Sequence, residues 1–280
     1  MREEIMRYGA NGDAFGILTL PERSSQLPIV VMFNAGLLHR SEPYRLNVLA
    51  ARALCDLGVM SLRVDLAGKG DSPARTGCTN RESVAMDWAA IRQSLCARFG
   101  DDQTFILMGL CSGADNAIKL GRDDAQVAGL ILIDPVALKD RFFLWRKIWR
   151  KLSDPRVLRQ LPAKLLARLS RLLPAKSVNM AAEKLSLRDE PTPDDIRECI
   201  RRLVSCRGHI FAVFTSFASG YYNKKGQFAQ ALNIAGAEDI CNEEMWFDAT
   251  HLLSVHAHRE RFVNALVAWF KRIYEEKLEG

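Results

Sequence analysis

The sequence predicts an α/β protein with a mostly parallel central sheet and helices on both of its faces. Three observations predict it. Short β-prone runs alternate with helix-length segments through the first half of the chain. Several of those runs are apolar at nearly every position, as strands covered on both faces are. One of them ends in a glycine-flanked turn that leads directly into a helical pattern.

In chain order, residues 15–20 read as a strand and 28–33 as a buried one. Residues 44–57 have helical spacing and stop at Gly58, and 59–64 is the next strand, followed by the turn-rich loop Asp65-Leu66-Ala67-Gly68-Lys69-Gly70-Asp71-Ser72. A helix over 81–99 precedes a strand at 104–108; a helix over 114–121 ends at Gly121; a strand at 127–133 ends at Asp134-Pro135. Strands at 209–214 and 245–247 and a closing helix over 259–277 complete the pattern.

Between these halves the alternation breaks. Residues 139–176 carry 12 basic side chains against Asp140 and Asp154, a charge of +10 in a chain whose total is +6. Apolar residues recur there at helical spacing, as in Phe142, Trp145, Trp149 and Leu152, then Leu161, Leu165, Leu169 and Leu172. The expected organisation is a core from 1–138 and 207–280, interrupted by a basic helical cap or lid at 139–206.

With 280 residues and 48% hydrophobic content, the chain can bury one large core. No apolar run approaches a membrane span and the first residues lack the apolar core of a signal peptide, so a cytoplasmic location is expected. Seven cysteines (55, 78, 96, 111, 199, 206 and 241) are odd in number and form no CxxC pair. That usage fits a reducing compartment better than a disulfide framework, and neither a metal nor a cofactor is expected.

The glycine-flanked turn is Gly109-Leu110-Cys111-Ser112-Gly113. It has the form of a nucleophile elbow, in which the chain leaves a strand, reverses sharply and enters a helix with the central side chain held outward. Glycines two residues to either side give room for the reversal. Centring the turn on Ser112 would put Leu110 and Ala114 at the flanks, so the frame selects Cys111. Ser112 then contributes its backbone N–H.

With three further landmarks, these residues resemble the α/β-hydrolase fold over nearly the whole chain apart from the cap. The landmarks are Phe33-Asn34-Ala35-Gly36, the Asp65–Ser72 loop, and Asp248-Ala249-Thr250-His251. Within the fold, Asn34-Ala35-Gly36, the Gly-Asp-Ser loop and Gly-Leu-Cys-Ser-Gly are similar to hydrolases associated with exosortase and exopolysaccharide gene clusters. The resemblance implies attack by Cys111 on an ester or thioester carbonyl, with His251 as the base and the Ser112 and Gly36 amides as the oxyanion hole. It also implies an acid after the strand at 209–214, yet residues 215–223 hold no carboxylate. Asp134 is the best substitute, because some members of the fold carry the acid at the preceding strand tip. A turn-forming Asp-Pro explains it equally well. Asp248, a Cys–His dyad, an Asn223-assisted arrangement, and His256 in place of His251 stay open. Asn34 replaces the usual histidine of the oxyanion loop and reads as a brace or a turn former. Asp65 and Asp71 read as structural.

The expected activity is that of a thioesterase, esterase or acyltransferase on a small acyl ester or thioester, carried by a carrier protein or coenzyme A. The alternative is a catalytically silent fold used for binding or scaffolding. The basic cap reads as a solvated face, as a dock for an acidic or phosphate-bearing partner, or as a peripheral membrane contact. Nothing besides charge supports nucleic acid.

Overall fold

The computed structural model describes residues 1–9, 12, 14–23, 26–152 and 188–275. Among these, eight strands form one sheet: β1 (Arg2–Tyr8), β2 (Ala14–Leu20), β3 (Ile29–Met32), β4 (Ser61–Val64), β5 (Phe105–Leu110), β6 (Val127–Ile133), β7 (His209–Thr215) and β8 (Cys241–Trp246). They lie in the order β1-β2-β4-β3-β5-β6-β7-β8. Pairing is antiparallel for β1–β2 and β2–β4 and parallel across the remainder.

The principal helices are α1 (Leu46–Asp56), α2 (Asn80–Phe99), α3 (Ser112–Asp123), α4 (Phe143–Leu152), α5 (Pro193–Ser205) and α6 (His256–Ile273). Strands β3 and β5 are buried at every position, because alternate residues feed two separate cores. Val31 and Leu107 pack with Trp88 and Ile91 of α2, Ala117 and Ile118 of α3, and Ile196 and Ile200 of α5. Val30, Met32 and Met108 pack on the other face with Leu46 and Leu54 of α1 and Phe262, Leu266 and Trp269 of α6. The carboxyl ends of β3 to β8 share one edge of the sheet, where an α/β sheet offers its crevice.

Several elements differ from the sequence reading for identifiable reasons. Strand β1 was not anticipated: its alternate charged side chains face solvent, and only Met6 and Tyr8 are buried. Strand β8 begins at Cys241 rather than 245, since two glutamates masked its start. One of them, Glu243, is buried and accepts hydrogen bonds from Tyr222 Oη (2.9 Å), Phe228 N (3.0 Å) and Ala229 N (2.9 Å). Helix α1 begins at Leu46 because Tyr44 and Arg45 hold left-handed backbone, φ 46° and 62°. Helix α3 runs past Gly121 to Asp123. Gly121 allows close approach of α5 instead of capping, since a Cβ there would lie 3.2 Å from Cys199 Sγ.

The expected cap at 139–206 overlaps the core in its last part. Helix α5 buries Ile196, Cys199, Ile200 and Leu203 in the larger core and covers the sheet as a crossover helix. Thr192 caps it, with Asp195 completing the capping box. Residues 153–187 of the expected cap lie outside the described residues.

Glu243→Ala strands three buried donors, so it is expected to lower the unfolding free energy by about 3 kcal/mol. The change should appear as a lower urea midpoint at unchanged slope. Glu243→Gln keeps an acceptor and should lose less.

Candidate active site

Cys111 sits between the end of β5 and the start of α3 with φ 56° and ψ −117°. A side chain that is not glycine adopts such backbone only under constraint. The constraint comes from both sides: Cys111 N donates to Ile133 O of β6 (2.8 Å), and Asp115 N donates to Cys111 O (3.0 Å) to start the helix. The two glycines answer to close approach. A Cβ at Gly109 would collide with the Gly113 carbonyl, and one at Gly113 would lie 2.6 Å from Asn34 O. The elbow therefore packs backbone to backbone against the loop after β3.

His251 lies in the loop between β8 and α6 and stacks on Phe217, with ring centroids 4.0 Å apart. Its Nδ1 is 2.7 Å from Asp134 Oδ2. Asp134 stands at the tip of β6, wholly buried, with φ 48°. Its carboxylate also accepts from Thr215 N (2.7 Å) and Thr215 Oγ1 (2.6 Å). Thr215 ends β7, just where the resemblance led one to expect an acid. The hydroxyl and amide at that position instead hold the carboxylate of the neighbouring strand.

Burial of the imidazole opposes its protonation. The hydrogen bond to the Asp134 carboxylate, helped by the neighbouring Cys111, outweighs burial and pushes His251 from 6.5 up to about 9. The structure thus brings Cys111, His251 and Asp134 together. It does not bring the other candidates to the imidazole. Asp248 pairs with Arg261 (3.2 Å) on the surface. Asn223 bonds Arg146 Nε (2.7 Å) and Phe143 O (3.0 Å), and His256 is exposed beside Glu260.

Gly36 and Ser112 also meet, in a way that the sequence did not disclose. The Gly36 N–H donates to Ser112 Oγ at 2.8 Å, so this amide is engaged by the hydroxyl. Asn34 is buried and acts as a brace: its Nδ2 donates to Leu38 O and Asp65 Oδ1 (both 2.8 Å), and its Oδ1 accepts from Leu66 N (2.8 Å). Asp65 further binds the Arg40 amide (2.7 Å) and guanidinium, and Gly70 is required because a Cβ there would strike the Asp65 carboxylate. His39, Asp65 and Asp71 bring potential metal-ligand atoms within 4.8 Å of one another. The Arg40 guanidinium already bridges both carboxylates, a cation in the place that a metal would need.

One pair escaped the sequence altogether. Arg188 donates through Nε and Nη2 to the fully buried Asp115, one turn into α3, and through Nη2 to Asp134 O (3.3 Å). Burial raises the Asp115 pKa against the pull of Arg188. The partners lie 73 residues apart, and only the helix register next to the elbow hinted at Asp115.

No protein-family model and no curated protein matches the chain. Among solved structures, an esterase from Pyrococcus furiosus superposes with a TM-score of 0.59 at 12% identity, covering 97% of this chain and 90% of that one. A Xanthomonas campestris α/β serine hydrolase without a lid gives 0.56 at 13% identity, covering 97% and 95%. The esterase domain of a Rhodothermus marinus protein gives 0.54 at 15% identity, covering 97% and 99%. The fold is that of the α/β hydrolases. The turn at Cys111, the loop after β3 and the loop that carries His251 lie at the carboxyl edge of that sheet.

The raised pKa of His251 fixes a sign. The folded chain holds a proton that the unfolded chain releases above pH 6.5, so the stabilisation is complete below that pH and lost as pH rises through about 9. In Asp134→Asn, burial acts without the opposing carboxylate, and the imidazole is expected to titrate well below 9 by side-chain NMR. Titration unchanged by the substitution would show that Asp134 does not govern the ring.

Proposed function

We propose that the protein is an acyl hydrolase or acyltransferase that forms an acyl-enzyme on Cys111. The observation that carries this reading is the strained Cys111 beside an imidazole whose other face is fixed by a buried carboxylate.

The chemistry follows from that arrangement. Cys111 Sγ attacks the acyl carbonyl of an ester or thioester with its proton already on Nε2 of His251, the ring nitrogen not held by Asp134. Negative charge gathers on the former carbonyl oxygen, near the first N–H groups of α3, which a helix leaves without intrahelical partners. The Ser112 amide supplies one donor. Gly36 supplies the second once Ser112 Oγ turns away from its N–H. Each such donor is worth about 3 kcal/mol in the transition state. Collapse of the adduct breaks the bond to the leaving thiolate or alkoxide, which takes the proton from His251. A water molecule or a second acceptor then gives its proton to His251, attacks the acyl-enzyme and frees Cys111.

Thiolates exchange readily with thioesters, whereas amides bind a poorer leaving group, so thioesters rank first as substrates. The esterases among the structural neighbours agree with acyl transfer to water. A carrier protein or coenzyme A fits the basic character of residues 139–176.

Intact-protein mass after brief exposure to a panel of acyl thioesters tests the proposal. The wild type should gain one acyl group or turn over, and Cys111→Ala should do neither, at least about a thousandfold below wild type. Ser112→Ala should keep a substantial share of the rate, since it retains the amide and loses only the hydroxyl that engages Gly36. Activity that survives Cys111→Ala and disappears in Ser112→Ala would move the nucleophile to the serine and overturn the proposal.

A further inference from the structure

Helix α4 turns Phe143 and Arg146 toward the body of the protein and leaves Leu144, Trp145, Ile148 and Trp149 exposed. Phe143 is buried, and its carbonyl accepts from Asn223 Nδ2 (3.0 Å). Arg146 turns toward the body of the protein and bonds Asn223 Oδ1 (2.7 Å), Asp140 Oδ1 (2.8 Å) and the buried Gln227 (3.3 Å). These contacts fix the orientation of the helix. They leave Leu144 66%, Trp145 59%, Ile148 56%, Trp149 53% and the preceding Phe142 51% exposed. The spacing of 142, 145 and 149 and of 144 and 148 sets these residues along one side of the helix. The rings of Trp145 and Trp149 lie 5.6 Å apart. Water-soluble helices bury such a stripe; this one presents it.

Cations border the stripe. Among the described residues, Lys139, Arg141 and Lys147 have no carboxylate partner; Lys139 and Lys147 lie over the Phe143 ring, and Arg141 over that of Phe142. Beside Phe142 opens a cleft of about 580 Å³ lined by Lys139, Arg141, Arg146 and Lys224, with Asp140 as its acid. Arg146 already neutralises Asp140. The cleft therefore carries an excess of positive charge next to exposed aromatic side chains.

We infer that α4 is a docking face for an anionic phospholipid bilayer, with Phe142, Trp145, Ile148 and Trp149 entering the interface and Lys139, Arg141 and Lys224 receiving headgroup phosphates. Interfacial helices combine this apolar stripe with a basic border, and indole rings favour the depth where hydrocarbon meets headgroup. A bilayer interface takes up the apolar stripe and the basic border together along the helix. No helix among the described residues is long and apolar enough to cross a membrane, so the contact is peripheral. The inference does not depend on the chemistry at Cys111.

The test is vesicle co-sedimentation of the full chain, with phosphatidylcholine alone and with about 30 mol% phosphatidylglycerol, at low and raised salt. Three cations near the surface should raise partitioning onto the anionic vesicles at least about tenfold, and raised salt should remove most of the gain. Brominated acyl chains should quench tryptophan emission. Trp88, Trp246 and Trp269 are buried in the core, so quenching reports on Trp145 and Trp149. Trp145→Gln/Trp149→Gln should abolish both binding and quenching with thermal unfolding unchanged, and Lys139→Gln/Arg141→Gln should remove the preference for anionic lipid. Lack of binding to either vesicle would overturn the inference, as would binding that ignores both lipid charge and the tryptophan substitutions. A self-association that the tryptophan substitutions abolish, without vesicle binding, would assign the face to a second copy of the chain. Indoles already shielded from acrylamide in the absence of vesicles would assign it to the chain itself.

Discussion

The buried carboxylate of Asp134 joins three strand ends. It sits on β6, takes two hydrogen bonds from Thr215 at the end of β7, and holds His251 in the loop after β8. Its backbone carbonyl accepts from Arg188, whose guanidinium is also the counter-charge of Asp115 in the helix behind the elbow. A buried anion without partners would be strongly unfavourable, and here each oxygen is satisfied. The same bonds that make the charge tolerable leave one orientation for the imidazole.

A second brace holds the opposite wall. Asn34 ties the loop after β3 to the Asp65 loop after β4, while the Gly113 backbone packs on the carbonyl of Asn34. Strain at Cys111 is thus held between two rigid supports, one centred on Asp134 and one on Asn34 and Asp65. The Gly36 amide lies at the junction, bonded to the hydroxyl of the residue that follows Cys111. In the proposed reaction a substrate carbonyl oxygen would compete with that hydroxyl for the amide.

The sheet was legible where both faces of a strand are covered, because β3, β5 and β6 then read as unbroken apolar runs. Polar strands were harder: β1 pairs at the sheet edge with charges facing water, and β8 hides Glu243 among hydrogen bonds that form only in the fold. Helix α5 falls within the expected cap because everything between the basic run and the strand at 209 reads as one insertion. Its buried Ile196, Ile200 and Leu203 place it on the sheet. At the site, the elbow and His251 could be read from short local motifs. Asp134 could not be separated from a turn-forming aspartate, since the deciding partner, Thr215, lies 81 residues away. The Arg188–Asp115 pair and the engagement of Gly36 by Ser112 are likewise contacts between distant segments, and no local pattern encodes them.

The central claim is that the fold activates one thiol of seven, and residue-resolved alkylation kinetics test it most directly. Exposure alone would rank Cys206 first, as the one exposed thiol among the seven; burial pushes Cys199 up to about 12 and would rank it near the end. The account requires the half-buried Cys111 to react fastest in the wild type, and to fall back among the other thiols in His251→Asn. If Cys206 reacts fastest and loss of the imidazole leaves Cys111 unchanged, the turn at 109–113 is a structural feature and the proposed chemistry at Cys111 is wrong.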